Sequence, residues 1–137
     1  MRLVLDTNVV VSALVFGGTP LQLLQAAVTG NVLLFTSPAL LAELREVLAR
    51  PHLAVPLARK QSSVERAIAK YGELTLRVSP TSTPPVVERD PDDDHVIACA
   101  IAARADAIVS GDRHLLDLGQ HQGIAILTAS DALKRLA

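Results

Sequence analysis

Acidic side chains stand at four places in this sequence where they could do more than solvate a surface. Asp6 ends the apolar run Leu3-Val4-Leu5 and opens Asp6-Thr7-Asn8. Glu43 lies within Leu40-Leu41-Ala42-Glu43-Leu44, and Asp112 follows Ala107-Ile108-Val109-Ser110-Gly111. The densest group is Asp90-Pro91-Asp92-Asp93-Asp94, just before the small apolar stretch Val96–Ala102. Carboxylates drawn together from separate segments repel one another unless protons or cations intervene. With no cysteine or histidine cluster beside them, hard oxygen donors suit Mg²⁺ or Mn²⁺ better than Zn²⁺.

Each of these acids also has an ordinary structural role open to it. Asp6 is a good helix N-cap, although Thr7 and Asn8 could cap equally well and three polar residues exceed what a cap needs. Asp112 after Gly111 suits a turn. Glu43 lies on the shoulder of a helical stripe made by Leu40, Leu41, Leu44, Val47 and Leu48, about 60° from Leu40 and roughly 40° from Val47, with Glu46 about twice as far from Leu40. Acids at the start of a helix suit its macrodipole, but one or two would serve. Asp92, Asp93 and Asp94 cannot all face one small site, because consecutive helical residues point about 100° apart. Asp92 is expected to face solvent. Asp93 stands four residues before Ile97 and Asp94 three, so either can share its inward face, one as a ligand and the other as a cap or supporting group. The histidines, His52, His95, His114 and His121, form no recognisable ligand spacing. No Ser-His-Asp order or phosphate loop is visible, and Gly17-Gly18 is not a phosphate fingerprint.

These residues need elements to hold them. Arg2–Leu5 reads as a buried strand, and Asn8–Phe16 as a helix stopped by Gly17-Gly18. Pro20–Val28 reads as a second helix with Thr19 as cap, ended by Gly30. Val32–Phe35 is a strand. Ser37-Pro38 opens a helix that Pro51 stops after Arg50. The stretch around Pro56 is weakly defined. Ser63–Tyr71 is a helix ended by Gly72, Leu74–Val78 a strand, and the proline-rich segment 79–85 a surface loop. A helix from Pro91 to about Ala105, a strand over Ala107–Val109, a short helix over His114–Leu118, a strand over Ile124–Leu127 and a helix over Ser130–Leu136 complete the chain. This alternation implies an α/β fold: a mostly parallel central sheet with helices on both faces, in one domain over 1–137. In such sheets, sites lie beyond the carboxyl ends of the strands, where Asp6 and Asp112 fall.

Composition narrows the function. The 137 residues are half apolar, enough for one core. The three aromatics, Phe16, Phe35 and Tyr71, give no stacking platform for single strands, and a net charge of −1 gives no global basic footprint. The single cysteine, Cys99, excludes an intrachain disulfide and reads as a small apolar core group. With no secretory signal and no run long and apolar enough for a membrane span, a cytoplasmic setting is expected.

The four motifs together resemble the PIN-domain family. Leu3-Val4-Leu5-Asp6-Thr7-Asn8 is similar to its opening strand and first acid, Glu43 to its helix-borne acid, Asp90–Ala100 to its third motif, and Ile108–Asp112 with Leu115-Leu116 to its fourth. The resemblance spans essentially the whole chain and is nearest to the stand-alone prokaryotic PIN proteins described as toxins of toxin–antitoxin pairs (VapC-like ribonucleases). It implies a three-layer sandwich, Mg²⁺ or Mn²⁺, and hydrolysis of single-stranded RNA. It further implies an antitoxin partner protein and a homodimer. Carried over by motif, the catalytic and metal-binding residues are Asp6, Glu43, Asp112 and either Asp93 or Asp94: spacing back from Ile97-Ala98-Cys99-Ala100 selects Asp94, and the Asp-Pro-x-Asp pattern selects Asp93. Asn8 and Ser110 would support them, with Ser110 where Thr is commoner. Arg45, Arg89, Arg113 and Lys134 are the cations that could grip a substrate. The rival readings are a PIN-fold domain that binds RNA or a partner without turnover, a metal-dependent phosphatase, and a nuclease acting on DNA flaps. The Asp-x-Asp phosphatase signature is absent at Asp6, and the chain is short for a flap nuclease.

Overall fold

Continuous apolar runs form the middle of the sheet because their strands are covered on both sides. The computed structural model describes residues 1–81 and 91–136, with side chains from Asp93 onward in the helix that begins at Pro91. The strands are β1 (Arg2–Leu5), β2 (Leu33–Thr36), β3 (Thr75–Arg77), β4 (Ala107–Val109), β5 (Gln120–His121) and β6 (Ile124–Leu127). Their order across the sheet is β3-β2-β1-β4-β6-β5, and every pairing is parallel except that of β5 with β6. The helices are α1 (Thr7–Val11), continued by one π-helical turn (Ser12–Phe16), then α2 (Gly18–Val28), α3 (Pro38–Leu48), α4 (Ala54–Arg59), α5 (Val64–Leu74), α6 (Pro91–Ala103), α7 (Arg113–Leu118) and α8 (Ala129–Leu136).

Side chains alternate across a strand, and here the alternation divides the core in two. Leu3, Leu5, Leu34, Ala107, Val109 and Leu127 face one side, against α1, α2, α3, α5 and α8. Val4, Phe35, Ile108, Ile124 and Ile126 face the other, against Val96, Ile97, Cys99, Ala100 and Ala103 of α6 and Leu115 of α7. The result is the three-layer α/β sandwich expected from the sequence. Small residues let α6 lie close to the sheet. Its far end is tied down by Arg2, whose guanidinium donates to the Ala103 carbonyl from Nε at 3.0 Å and Nη2 at 2.6 Å, and stacks 4.4 Å above the Phe35 ring. That carbonyl belongs to the last turn of α6, where no intrahelical donor remains for it.

Several boundaries depart from the sequence reading. Gly17, not Thr19, precedes the first residue of α2, because Gly17 and Gly18 adopt φ of +81° and +70°, values that turn the chain sharply after the π-helical turn. Gly72 does not end α5, which continues to Leu74; the Thr75 hydroxyl donates to the Tyr71 carbonyl at 2.9 Å and closes the last turn. The stretch around Pro56 is helical: Pro51–Leu53 forms a 3₁₀ turn leading into α4, where Leu53 and Leu57 are buried. The short β5 hairpin partner of β6 had no legible pattern. Of the expected loop over 79–85, residues 82–85 lie outside the described residues.

Behind the β2 end of the sheet, Ser37 caps α3 by accepting from the Leu40 amide at 3.3 Å and also hydrogen-bonds the Cys99 thiol. Burial pushes Cys99 up to about 12, which the Ser37 bond only partly offsets. Burial also pushes the Tyr71 hydroxyl up, with Cys99 adding to the rise. Both groups keep their protons in the native state above the ordinary values of 9.0 and 10.0 at which the unfolded chain loses them. Their contribution to stability is therefore complete below about pH 9 and lost as pH rises towards the native values, at up to about 1.4 kcal/mol per pH unit for each group. Urea unfolding followed from about pH 8.5 to about pH 11 is expected to show that decline, and Tyr71→Phe to make it shallower. Equal slopes for wild type and variant would remove this account.

Candidate metal centre

The chain runs from β1 outward to β2 and β3, then returns to the other side of β1 to lay down β4 and β6. The reversal falls between β1 and β4. In parallel sheets the crevice at the carboxyl end of such a switch point is where ligands sit, because the connections diverge there and leave backbone and side chains uncovered. The parallel register pairs Leu3 with Ala107, Val4 with Ile108 and Leu5 with Val109. One step further it sets Asp6 beside Ser110, and alternation turns both towards the α6 layer.

The contacts bear this out. Ser110 Oγ donates to Asp6 Oδ2 at 2.8 Å and accepts from the Asp112 amide at 2.9 Å. The other Asp6 oxygen, Oδ1, accepts from the Thr7 amide at 2.8 Å, so Asp6 is also the N-cap of α1. Capping and site membership were the two readings open to Asp6, and its two oxygens keep both available. Asp112 caps α7 by accepting from the His114 amide at 2.7 Å. Asp6, Asp93, Asp94 and Ser110 are all buried, with Ser110 fully so.

Among the described residues, Asp93, Asp112 and His114 each offer a ligand atom within 4.8 Å of the others. The two carboxylates come from α6 and from the turn after β4, the imidazole from α7. Two carboxylates and one imidazole suit a divalent first-row cation in both charge and donor type. Asp94 is buried beside Asp93 on α6 but is not in this group, and neither are Asp6 and Glu43. Glu43 is half-buried on α3 while Glu46 is exposed, as the helical angles indicated, and α3 packs against α1, which Asp6 caps, and against α6, which carries Asp93 and Asp94. Asn8 is exposed and lines a recess of about 230 Å³ with Ser12, Ser110, Gly111 and Thr128. Asp90, Arg89 and the Asp92 side chain lie outside what the structure describes.

His114 is the residue that sequence reasoning missed. Its spacing to other histidines was uninformative, but its spacing to Asp112 is not. An N-cap carboxylate bonds the amide two residues on, so the side chain of that residue starts beside the cap. In this structure His114 Nδ1 is 3.7 Å from Asp112 Oδ1. Of the expected substrate-gripping cations, Arg45 is engaged in an ion pair with Glu65, and Lys134 lies 4.0 Å from Asp131. Arg113 is exposed at the first position of α7, next to Asp112.

Comparison with known proteins agrees with this geometry. A family model described as "PIN domain" matches residues 2–114, which contain Asp6, Glu43, Asp93, Asp94, Asp112 and His114. No curated protein matches the chain. PIN domains are generally nucleases that use divalent metal ions. With the matched region covering most of the sequence and its acids gathered at the switch point of the sheet, this chain belongs to the PIN-domain family.

Proposed function

We propose that this protein is a Mg²⁺- or Mn²⁺-dependent endoribonuclease that hydrolyses phosphodiester bonds of single-stranded RNA. The observation that carries the reading is the convergence of Asp93, Asp112 and His114 beside the Asp6–Ser110 pair, in a chain of the PIN family. RNA as substrate rests on the resemblance to stand-alone prokaryotic PIN proteins. The same resemblance supports a toxin role, a cognate antitoxin protein and a cytoplasmic setting. No single helix among the described residues is long and apolar enough to cross a membrane.

When bound, the cation supplies an electrophile for the phosphodiester and a means of activating water at neutral pH. The chain's own task is to hold its donors still, since groups preset where charge develops need no rearrangement during the reaction. Ser110 does this for Asp6 through its hydroxyl and for Asp112 through the backbone amide it accepts from. The packed first turns of α6 do it for Asp93 and Asp94. Glu43, half-buried on α3, would add a further carboxylate. Attack of water on phosphorus leaves a 5′-phosphate and a 3′-hydroxyl, with no covalent intermediate on the protein.

Purified protein is expected to cut unstructured RNA in Mg²⁺ or Mn²⁺ and to stop in EDTA. Undiminished cleavage in chelator would exclude the mechanism; RNA binding without cleavage in either metal would point to a PIN fold that binds but does not turn over.

Amide substitutions separate ligands from caps. Asp6→Asn keeps an oxygen for the Thr7 amide, so it is expected to melt within about 5 °C of wild type while cleavage is abolished, because relief of carboxylate repulsion offsets the altered Ser110 bond. Asp93→Asn is expected to be inactive and folded. Asp94→Asn should retain measurable activity and lose no more than about 1 kcal/mol of stability, the scale of a carboxylate in the first turn of a helix. Full activity in Asp6→Asn or Asp93→Asn would remove that residue from the site.

The proposed homodimer draws support from apolar side chains left at the surface. Phe16 is 63% and Val55 60% exposed, and α4, which carries Val55, packs against the π-helical turn that ends at Phe16. Light scattering at micromolar concentration is expected to give twice the chain mass; a monomer mass would discard the dimer.

A further inference from the structure

We infer that His114 is a metal ligand, and that its imidazole makes this centre prefer Mn²⁺ to Mg²⁺. The inference deepens the proposed function and rests on it. The family resemblance supplies only acids for the site, and oxygen donors alone discriminate poorly between these two ions. The structure places a nitrogen donor within 4.8 Å of the ligand atoms of both Asp93 and Asp112.

Three features make His114 suited to that role. Its backbone is fixed, because its amide donates to Asp112 Oδ1 at 2.7 Å, and any replacement other than proline keeps this bond. Its imidazole stands on the same side of that carboxylate, with Nδ1 3.7 Å from Oδ1, too far for a good hydrogen bond and a fitting separation for two ligands of one ion. Its side chain is about half exposed (52%), whereas Asp93 is 4% exposed, so the three donors run from the interior outward to solvent. An ion between them has an entry route on the His114 side and room for oxygens of a substrate.

The selectivity follows from donor chemistry. Mg²⁺ demands near-ideal octahedral oxygen coordination and gives up its waters reluctantly, so an imidazole adds little to its binding. Affinity for nitrogen-containing donor sets rises along the first transition row, and Mn²⁺ gains from the imidazole where Mg²⁺ does not. Co²⁺, further along the row, should gain more.

The test uses the whole protein and the metals alone, without RNA. Titration calorimetry should show His114→Asn weakening Mn²⁺ by about tenfold or more and Mg²⁺ by much less, with Co²⁺ affected most. In wild type loaded with Mn²⁺, electron spin-echo spectra should carry modulation from a directly bound nitrogen. His114→Asn should abolish it, and His114→Gly with added imidazole should restore it. The exposed position of His114 means that the melting temperature of the metal-free variants should match wild type. Mn²⁺ that binds and is lost in Asp93→Asn, but shows no nitrogen modulation or an unchanged Mn²⁺/Mg²⁺ ratio in His114→Asn, would overturn this inference and leave the metal-dependent reading standing. Failure of wild type to bind either ion would overturn both.

Discussion

The Ser110 hydroxyl is the contact on which the candidate centre depends. It is fully buried, and it spends its one proton on Asp6 Oδ2 while accepting the Asp112 amide. A buried hydroxyl with both partners met is held in one orientation, and an unmet one would cost about 1–3 kcal/mol. Ser110 thereby locks the acid at the end of β1 to the turn at the end of β4. The lock is possible because β1 and β4 are parallel and in register, which brings the two strand ends to the same level. An antiparallel pair would have sent them to opposite edges of the sheet.

The second constraint is the placement of α6. Its acidic start must sit over the switch point, and its direction is set from the other end. Arg2, on β1, takes the Ala103 carbonyl, and the Arg2 amide donates to Asp106 Oδ2 at 2.7 Å just before β4. The central strand thus holds Asp6 at one end and the tail of α6 at the other. Cys99, Ala100 and Ala103 keep the helix close enough to the sheet for a rigid body between the two ends. A bulkier face would lift α6 and carry Asp93 away from Asp112.

Much of this was legible from residues alone, and the rest was hidden for identifiable reasons. Continuous apolar runs, closed by Asp6 and by Ser110-Gly111-Asp112, gave β1 and β4 with their bounds, because doubly covered strands leave a strong hydrophobic signal. The angular position of Glu43 against Leu40 and Val47 correctly separated a half-buried acid from the exposed Glu46. The α4 region was obscured by Pro51 and Pro56, which read as breaks but act as the opening of a 3₁₀ turn and a first-turn helical position, where a missing amide does no harm. The end of α5 was misread because Gly72 is tolerated inside a helix whose last turn Thr75 closes. The choice between Asp93 and Asp94 lay beyond helical geometry, since both point inward. The grouping of Asp93 with Asp112 and His114 depends on where the turn after β4 places those two residues. No periodicity within a single element encodes this.

A near-neutral chain with the proposed polyanionic substrate needs its attraction to be local. A divalent ion among Asp93, Asp112 and His114 would neutralise much of the negative charge that the acids bring to this edge of the sheet. On the solvent side of that group stand the half-exposed His114 and the exposed Arg113, both on the first turn of α7. Net charge over the whole chain averages this arrangement to nothing, which is why composition argued mildly against a nuclease while motif order argued for one. The conflict resolves in favour of position. Carboxylates buried together violate the ordinary rule for a stable interior, and a fold keeps such a violation where function requires it. Here it is kept at the switch point between β1 and β4, where α1, α6 and α7 begin.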